Sequence, residues 1–60
     1  MKCFAQIRIP TNVSNHNNEI VTMECALHYL EQIKQRPDFV EYSIEEDGTV
    51  IIVMEVEIYV

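Results

Sequence analysis

Apolar and polar positions alternate from Met1 to Ile9, with Cys3, Ala5, Ile7 and Ile9 on one face and Lys2, Phe4, Gln6 and Arg8 on the other. A period of two marks a half-buried strand, and Pro10 ends it. The next stretch, PTNVSNHNN (residues 10–18), holds four asparagines and no apolar period. It predicts a loop with Asn17 or Asn18 as helix N-cap and Glu19 at the positive end of the helix dipole. From Glu19 to about Gln35 the period becomes helical, with Ile20, Met23, Ala26, Leu27, Leu30 and Ile33 on one stripe. Pro37 forces Arg36 out of helical geometry and stops the helix.

Alternation returns at Phe39, with Val40, Tyr42 and Ile44 inward and Phe39, Glu41, Ser43 and Glu45 outward. From Thr49 to Val60 the inward set is Val50, Ile52, Met54, Val56, Ile58 and Val60; the outward set is Thr49, Ile51, Val53, Glu55, Glu57 and Tyr59. Both segments carry the β-branched and aromatic residues of strands. A two-residue loop at Asp47-Gly48 would set the two inward faces on opposite sides of the sheet. A three-residue loop, Glu46-Asp47-Gly48, pairs Ile44 with Val50, Tyr42 with Ile52 and Val40 with Met54, and both inward faces then agree. Its third position requires a left-handed residue, which the chain's one glycine supplies.

The order is strand, helix, strand, strand. The first two strands run parallel through the helix, and the long apolar third strand lies between them. The fold class predicted is α+β: a single βαββ domain over residues 1–60, with a three-stranded sheet of order 1-3-2 and one helix on one face. This is a split βαβ unit, half of a ferredoxin-like fold.

Sixty residues hide only about 60% of the surface that the unfolded chain exposes. Domains of this size gain the missing stability from disulfides, a metal or oligomerisation. Cys3 and Cys25 allow at most one internal bridge. No basic-then-apolar leader is visible, and the longest apolar run is Val50 to Met54, so a cytoplasmic chain with reduced thiols and no membrane partner is expected.

The net charge is −6. Residues 1–37 hold all four basic side chains against three acids, and residues 38–60 hold seven acids and no base. Direct nucleic-acid binding, which requires a cationic footprint, is not expected. A basic protein suits the surface.

Candidate chemistry is sparse. Glu45, Glu46 and Asp47 supply too few oxygens for a calcium loop, and they read as solvated turn residues. Glu24 and His28 share a helix side but make only half of a zinc site, with His16 in the loop. Cys25 has His28 three residues on, yet no oxyanion hole or pocket. No catalytic residue, metal or cofactor is expected, and the chain is read as a non-enzyme.

Two apolar surfaces stand out instead. Val21, Cys25 and Tyr29 form a second line on the helix. Phe4, Phe39, Ile51, Val53 and Tyr59 fall on the sheet face turned away from the helix, which a lone helix leaves bare. These eight are the candidate self-association residues, and a homo-oligomer, simplest as a dimer, is expected. Glu41, Glu45, Glu55 and Glu57 on the same outer face are the candidate contacts for a basic protein partner.

The element order and the segment DFVEYSIEEDG after the helix resemble dodecin, a family of small flavin-binding dodecamers. The resemblance implies a small-ligand-binding oligomer. Family members that bind flavin stack it on tryptophan, which this chain lacks. The leading expectation is therefore an oligomeric accessory or inhibitory module of the phage type, with a dodecin-like ligand binder as the alternative.

Overall fold

The computed structural model describes residues 1–14 and 17–59; the loop histidine His16 and the inward assignment of Val60 lie outside them. Among the described residues the order is β1 (Lys2–Ile9), α1 (Met23–Ile33), β2 (Phe39–Ile44) and β3 (Val50–Glu57). The sheet order is β1-β3-β2, and β3 is antiparallel to both neighbours. β1 and β2 therefore point the same way. The fold is the α+β βαββ unit predicted by the alternation.

β1 opposes β3 in one unbroken register from Lys2–Glu57 to Ile9–Val50. Directly opposed residues share a face, so Cys3, Ala5, Ile7 and Ile9 lie on the helix side with Val56, Met54, Ile52 and Val50. α1 closes that face with Ala26, Leu30 and Ile33, which are buried against Val50, Ile52 and Met54. Ile7, Ile9, Val21, Met23 and Phe39 pack around this cluster.

The hairpin turn has the three-residue form. Gly48 N–H donates to the Glu45 carbonyl at 3.0 Å, and Glu45 N–H donates to the Thr49 carbonyl at 2.9 Å. Ile44 faces Val50 and Tyr42 faces Ile52, as the register argument requires. Gly48 has φ +93°, in the left-handed region. A second constraint was invisible in the sequence: a Cβ on Gly48 would lie 2.8 Å from Thr11 Oγ1. Thr11 is 1% exposed, and its hydroxyl donates to the Gly48 carbonyl at 2.6 Å. The residue that leaves β1 is thereby tied to the β2–β3 turn.

Two expectations are corrected. The helix begins at Met23, and its N-cap is Thr22, whose Oγ1 accepts the Cys25 N–H at 3.2 Å. Asn17 and Asn18 precede it. The chain before Thr22 makes its own small ladder, with Asn12 N–H on the Val21 carbonyl at 2.7 Å and an antiparallel bridge between Ser14 and Ile20. The cause is local. Ile20, Val21 and Thr22 are consecutive β-branched residues that prefer extended backbone, and Asn12 and Asn18 take left-handed φ values of 60° and 61°. Ile20 is consequently exposed, and Val21 packs on the core from outside the helix, so Val21, Cys25 and Tyr29 do not form one helical line.

The second correction concerns the start of β2. A bulge between Phe39 and Glu41 places Phe39, rather than Val40, opposite Met54. Phe39 therefore lies on the helix side, packed on the core, and not on the outer face. The larger aromatic side chain takes the covered position, where it removes more apolar area from water, and Val40 is left exposed.

The turn generates a graded prediction. Gly48→Val should cost at least about 1–3 kcal/mol from backbone strain alone, plus displacement of the Thr11 hydroxyl. Glu46→Ala should leave the urea midpoint unchanged. Asp47→Ala should fall between them, because Asp47 Oδ1 accepts the Thr49 N–H at 2.9 Å. Equal midpoints for all three variants would contradict this turn.

Candidate interaction surface

Helix length decides what stays uncovered. Eleven helical residues at about 1.5 Å each span about 16 Å, whereas an eight-residue strand spans about 26 Å. Met23 sits beside Gly48, so α1 begins at the turn end of the sheet and runs out before the opposite end. A groove of about 540 Å³ opens there between α1 and β1, floored by Ala5, Ile7, Met54 and Val56. Tyr29, Gln32, Ile33, Arg36 and Asp38 form its helix-side wall. Across the helix Tyr42 and Ile44, read as core from the sequence, remain about half exposed. Lys34 reaches over the Tyr42 ring at 4.6 Å from its centroid. Leu27, one heptad before Lys34 on the same helix side, is also partly exposed. These three were missed as surface residues because a period of two reports which face a residue takes, not how far a helix reaches over it.

The outer face carries most of the predicted site residues. Phe4 is 71% exposed and stands opposite Glu55. Val53 is half-buried between Gln6 and Glu41. Ile51 is nearly buried despite facing outward. Arg8 and Ser43 are its cross-strand neighbours, and a 2.9 Å ion pair joins Arg8 on β1 to Glu45, the residue after β2. Tyr59 lies beyond β3 and is almost fully exposed. Cys25 and Tyr29 are exposed on α1. Phe4, Val53 and Ile51 thus share one face; Tyr29 and Cys25 are on the other side of the molecule.

The acids are less free than their number suggests. Lys2 pairs with Glu55 at 3.3 Å and the Met1 α-amino group with Glu57 at 3.1 Å. Lys34 pairs with Glu31 at 3.1 Å, and Arg36 grips Asp38 through Nε and Nη2 at 3.0 and 3.1 Å. Every lysine and arginine of the chain is therefore engaged by one of its own carboxylates. Of the four predicted contact acids, Glu45, Glu55 and Glu57 have cationic partners, and Glu41 has no ion pair among the described residues. These pairs are solvent-exposed and individually contribute little to stability; they fix where charge is left over. Excess charge remains on β2 and the turn at Glu41 and Glu46, together with Glu24 on the helix.

Arg36 holds the Asp38 carboxyl below its ordinary range through their hydrogen bonds. The Thr49 backbone N–H does the same for Asp47. Lys34 is raised by its hydrogen bond to Glu31. Among the described residues no group of three or more His, Cys, Asp or Glu side chains is placed to hold a metal ion. His28 Nε2 lies 3.3 Å from Gln32 Nε2, one turn along the exposed helix face. Cys3 and Cys25 are free thiols. Among the described residues no helix is long and apolar enough to cross a membrane. Compared with protein-family models, curated proteins and solved structures, the chain finds no match.

A pH dependence follows from the two lowered carboxyls. Their folded pKa values lie below the unfolded value of about 3.9, so their contribution is fully present above that pH. It is lost as pH falls through the folded values, because the unfolded chain binds the protons first. Urea midpoints should be flat from pH 7 to about 5 and fall below about 4. The double variant Asp38→Asn/Asp47→Asn should show a shallower acid limb. An identical acid limb in the double variant would remove these two residues from the explanation.

Proposed function

We propose that this chain is a non-enzymatic, homo-oligomeric interaction module, an accessory or inhibitory protein that presents an acidic surface to a larger basic protein. The observation that supports this best is the closure of all four basic side chains onto the chain's own acids. The net charge of −6 is then expressed outside these pairs, on carboxylates such as Glu24, Glu41 and Glu46 that make no ion pair among the described residues. Such a surface repels phosphate backbones and attracts lysine- and arginine-rich protein faces, acting chiefly on encounter rate and partner choice. Glu41 on β2 and Glu46 at the turn form its least compensated part. The phage-type accessory role rests on size and acidity. Self-association draws support from the exposed apolar side chains on both faces and from a buried core of only a few residues.

A second reading, a small-ligand-binding oligomer, is favoured by the groove beside α1. Its volume falls within the range of small-molecule sites, and its apolar floor has a Tyr29, Gln32 and Arg36 rim. Absorbance of the purified protein above 300 nm, released on denaturation, would favour it over the adaptor reading.

The acidic-surface reading predicts a salt-sensitive complex. A protein captured from the native host on immobilised wild-type chain at low ionic strength should be lost as salt rises and Debye screening shortens. It should be retained several-fold less by Glu41→Lys/Glu46→Lys, a variant that removes no ion pair and should melt as wild type does. Retention indifferent to salt and to both reversals would assign the acids to solubility alone.

A further inference from the structure

Among the described residues β1 and β2 are the two outer strands of the sheet, and their edges differ. The β2 edge is interrupted by the bulge at Phe39/Glu41, a device that discourages strand addition. The β1 edge runs straight from Lys2 to Ile9 with no irregularity. Met1 and Ile58 exchange both backbone hydrogen bonds, nitrogen to carbonyl at 3.1 Å one way and 2.8 Å the other. Hydrogen-bonded pairs recur at every second residue of an antiparallel ladder. Cys3, Ala5 and Ile7 therefore turn their amides toward β3. Lys2, Phe4, Gln6 and Arg8 direct theirs to the open edge.

We propose that a second copy of this chain fills that edge, β1 against β1, antiparallel about a two-fold axis through Phe4. The proposal rests on the self-association reading above and names its surface and register. Edge-facing residues must meet edge-facing residues, which leaves three central registers. Centred on Ala5, the pairing sets Lys2 opposite Arg8 of the second copy, and like charges directly opposed are destabilising. Centred on Gln6, it sets Lys2 opposite Pro10, which has no N–H to give. Centred on Phe4, it sets Lys2 opposite Gln6 and Phe4 opposite Phe4, free of both faults.

The side chains fit that register on each face. On the outer face the two phenylalanines, 71% exposed in the single chain, become cross-strand neighbours. On the helix face Cys3 meets Ala5, small against small. In this register neither Lys2 nor Arg8 meets a cation across the seam, and each keeps its own carboxylate, Glu55 and Glu45. Three hydrogen-bonded pairs, about six backbone hydrogen bonds, join the copies into one six-stranded sheet with both helices on one side. The groove beside α1 then faces its counterpart across the seam.

Paired Cα atoms at this register lie about 5.5 Å apart, within disulfide range. In a Cys3→Ala/Cys25→Ser background, Lys2→Cys/Gln6→Cys should therefore give a covalent dimer on mild oxidation, with peptide mapping joining position 2 to position 6. Gln6→Cys alone should stay uncrosslinked. Phe4→Lys, which opposes two lysines at the axis, should weaken dimerisation at least tenfold by light scattering. A dimer by light scattering that fails to crosslink 2 to 6, crosslinks through Gln6→Cys alone, or ignores Phe4→Lys would overturn the edge and register and leave self-association standing. A monomer at all concentrations would overturn both, and with them the second copy as occupant.

Discussion

The packing of Val50, Ile52 and Met54 beneath Ala26, Leu30 and Ile33 is the contact on which the rest of the molecule depends. β3 is hydrogen-bonded on both sides, so the same strand that forms half of the core also fixes the registers of β1 and β2. The turn that leads into it is held by geometry only glycine satisfies. Gly48 is left-handed, and the buried Thr11 hydroxyl occupies the space a Cβ would need. Thr11 thereby couples the exit of β1 to the hairpin, and the three strands are fixed by one short network. Without that row there is no face for the helix and no outer surface to display the acids.

The same packing shows what the chain lacks. A helix of eleven residues covers one end of the sheet and leaves the other end, with Val56 and Ile58, partly open to water. Tyr42 and Ile44 are incompletely covered on the β2 side, and Phe4 is bare on the outer face. Chains of this length bury too little apolar surface to offset ordering entropy by a wide margin. An unbroken edge strand and exposed apolar side chains are what association would use to supply the difference. The charges point the same way: with every lysine and arginine satisfied internally, what remains outside is negative.

Much of this was legible in the residues. The period-two runs located all three strands, and matching their inward faces forced the three-residue turn and its glycine. The helix start was not legible, because Ile20 continues the helical stripe by spacing while the run Ile20-Val21-Thr22 favours extended backbone. The position of Phe39 was misjudged because one bulge reverses the parity of everything before it. A bulge leaves no mark in an alternating pattern. Of the proposed contact residues, Phe4 and Val53 lie on the outer face as read, exposed and half-buried, whereas Tyr59 falls beyond the end of β3. Ile51 was misjudged as surface: on the central strand it is flanked by Arg8 and Ser43 and is buried, and that strand order joins residues far apart in sequence. The acids were counted correctly, but which of them keep an unbalanced charge depended on cross-strand geometry.

The claim that joins these observations is that folding and self-association are coupled in this chain. Its most direct test is the thermal midpoint measured across protein concentrations from about 1 to 100 μM. A second copy that binds only the folded chain would by mass action raise the midpoint by several degrees over that range. A midpoint independent of concentration, with a single cooperative transition, would show that the monomer is sufficient by itself and would contradict the coupling.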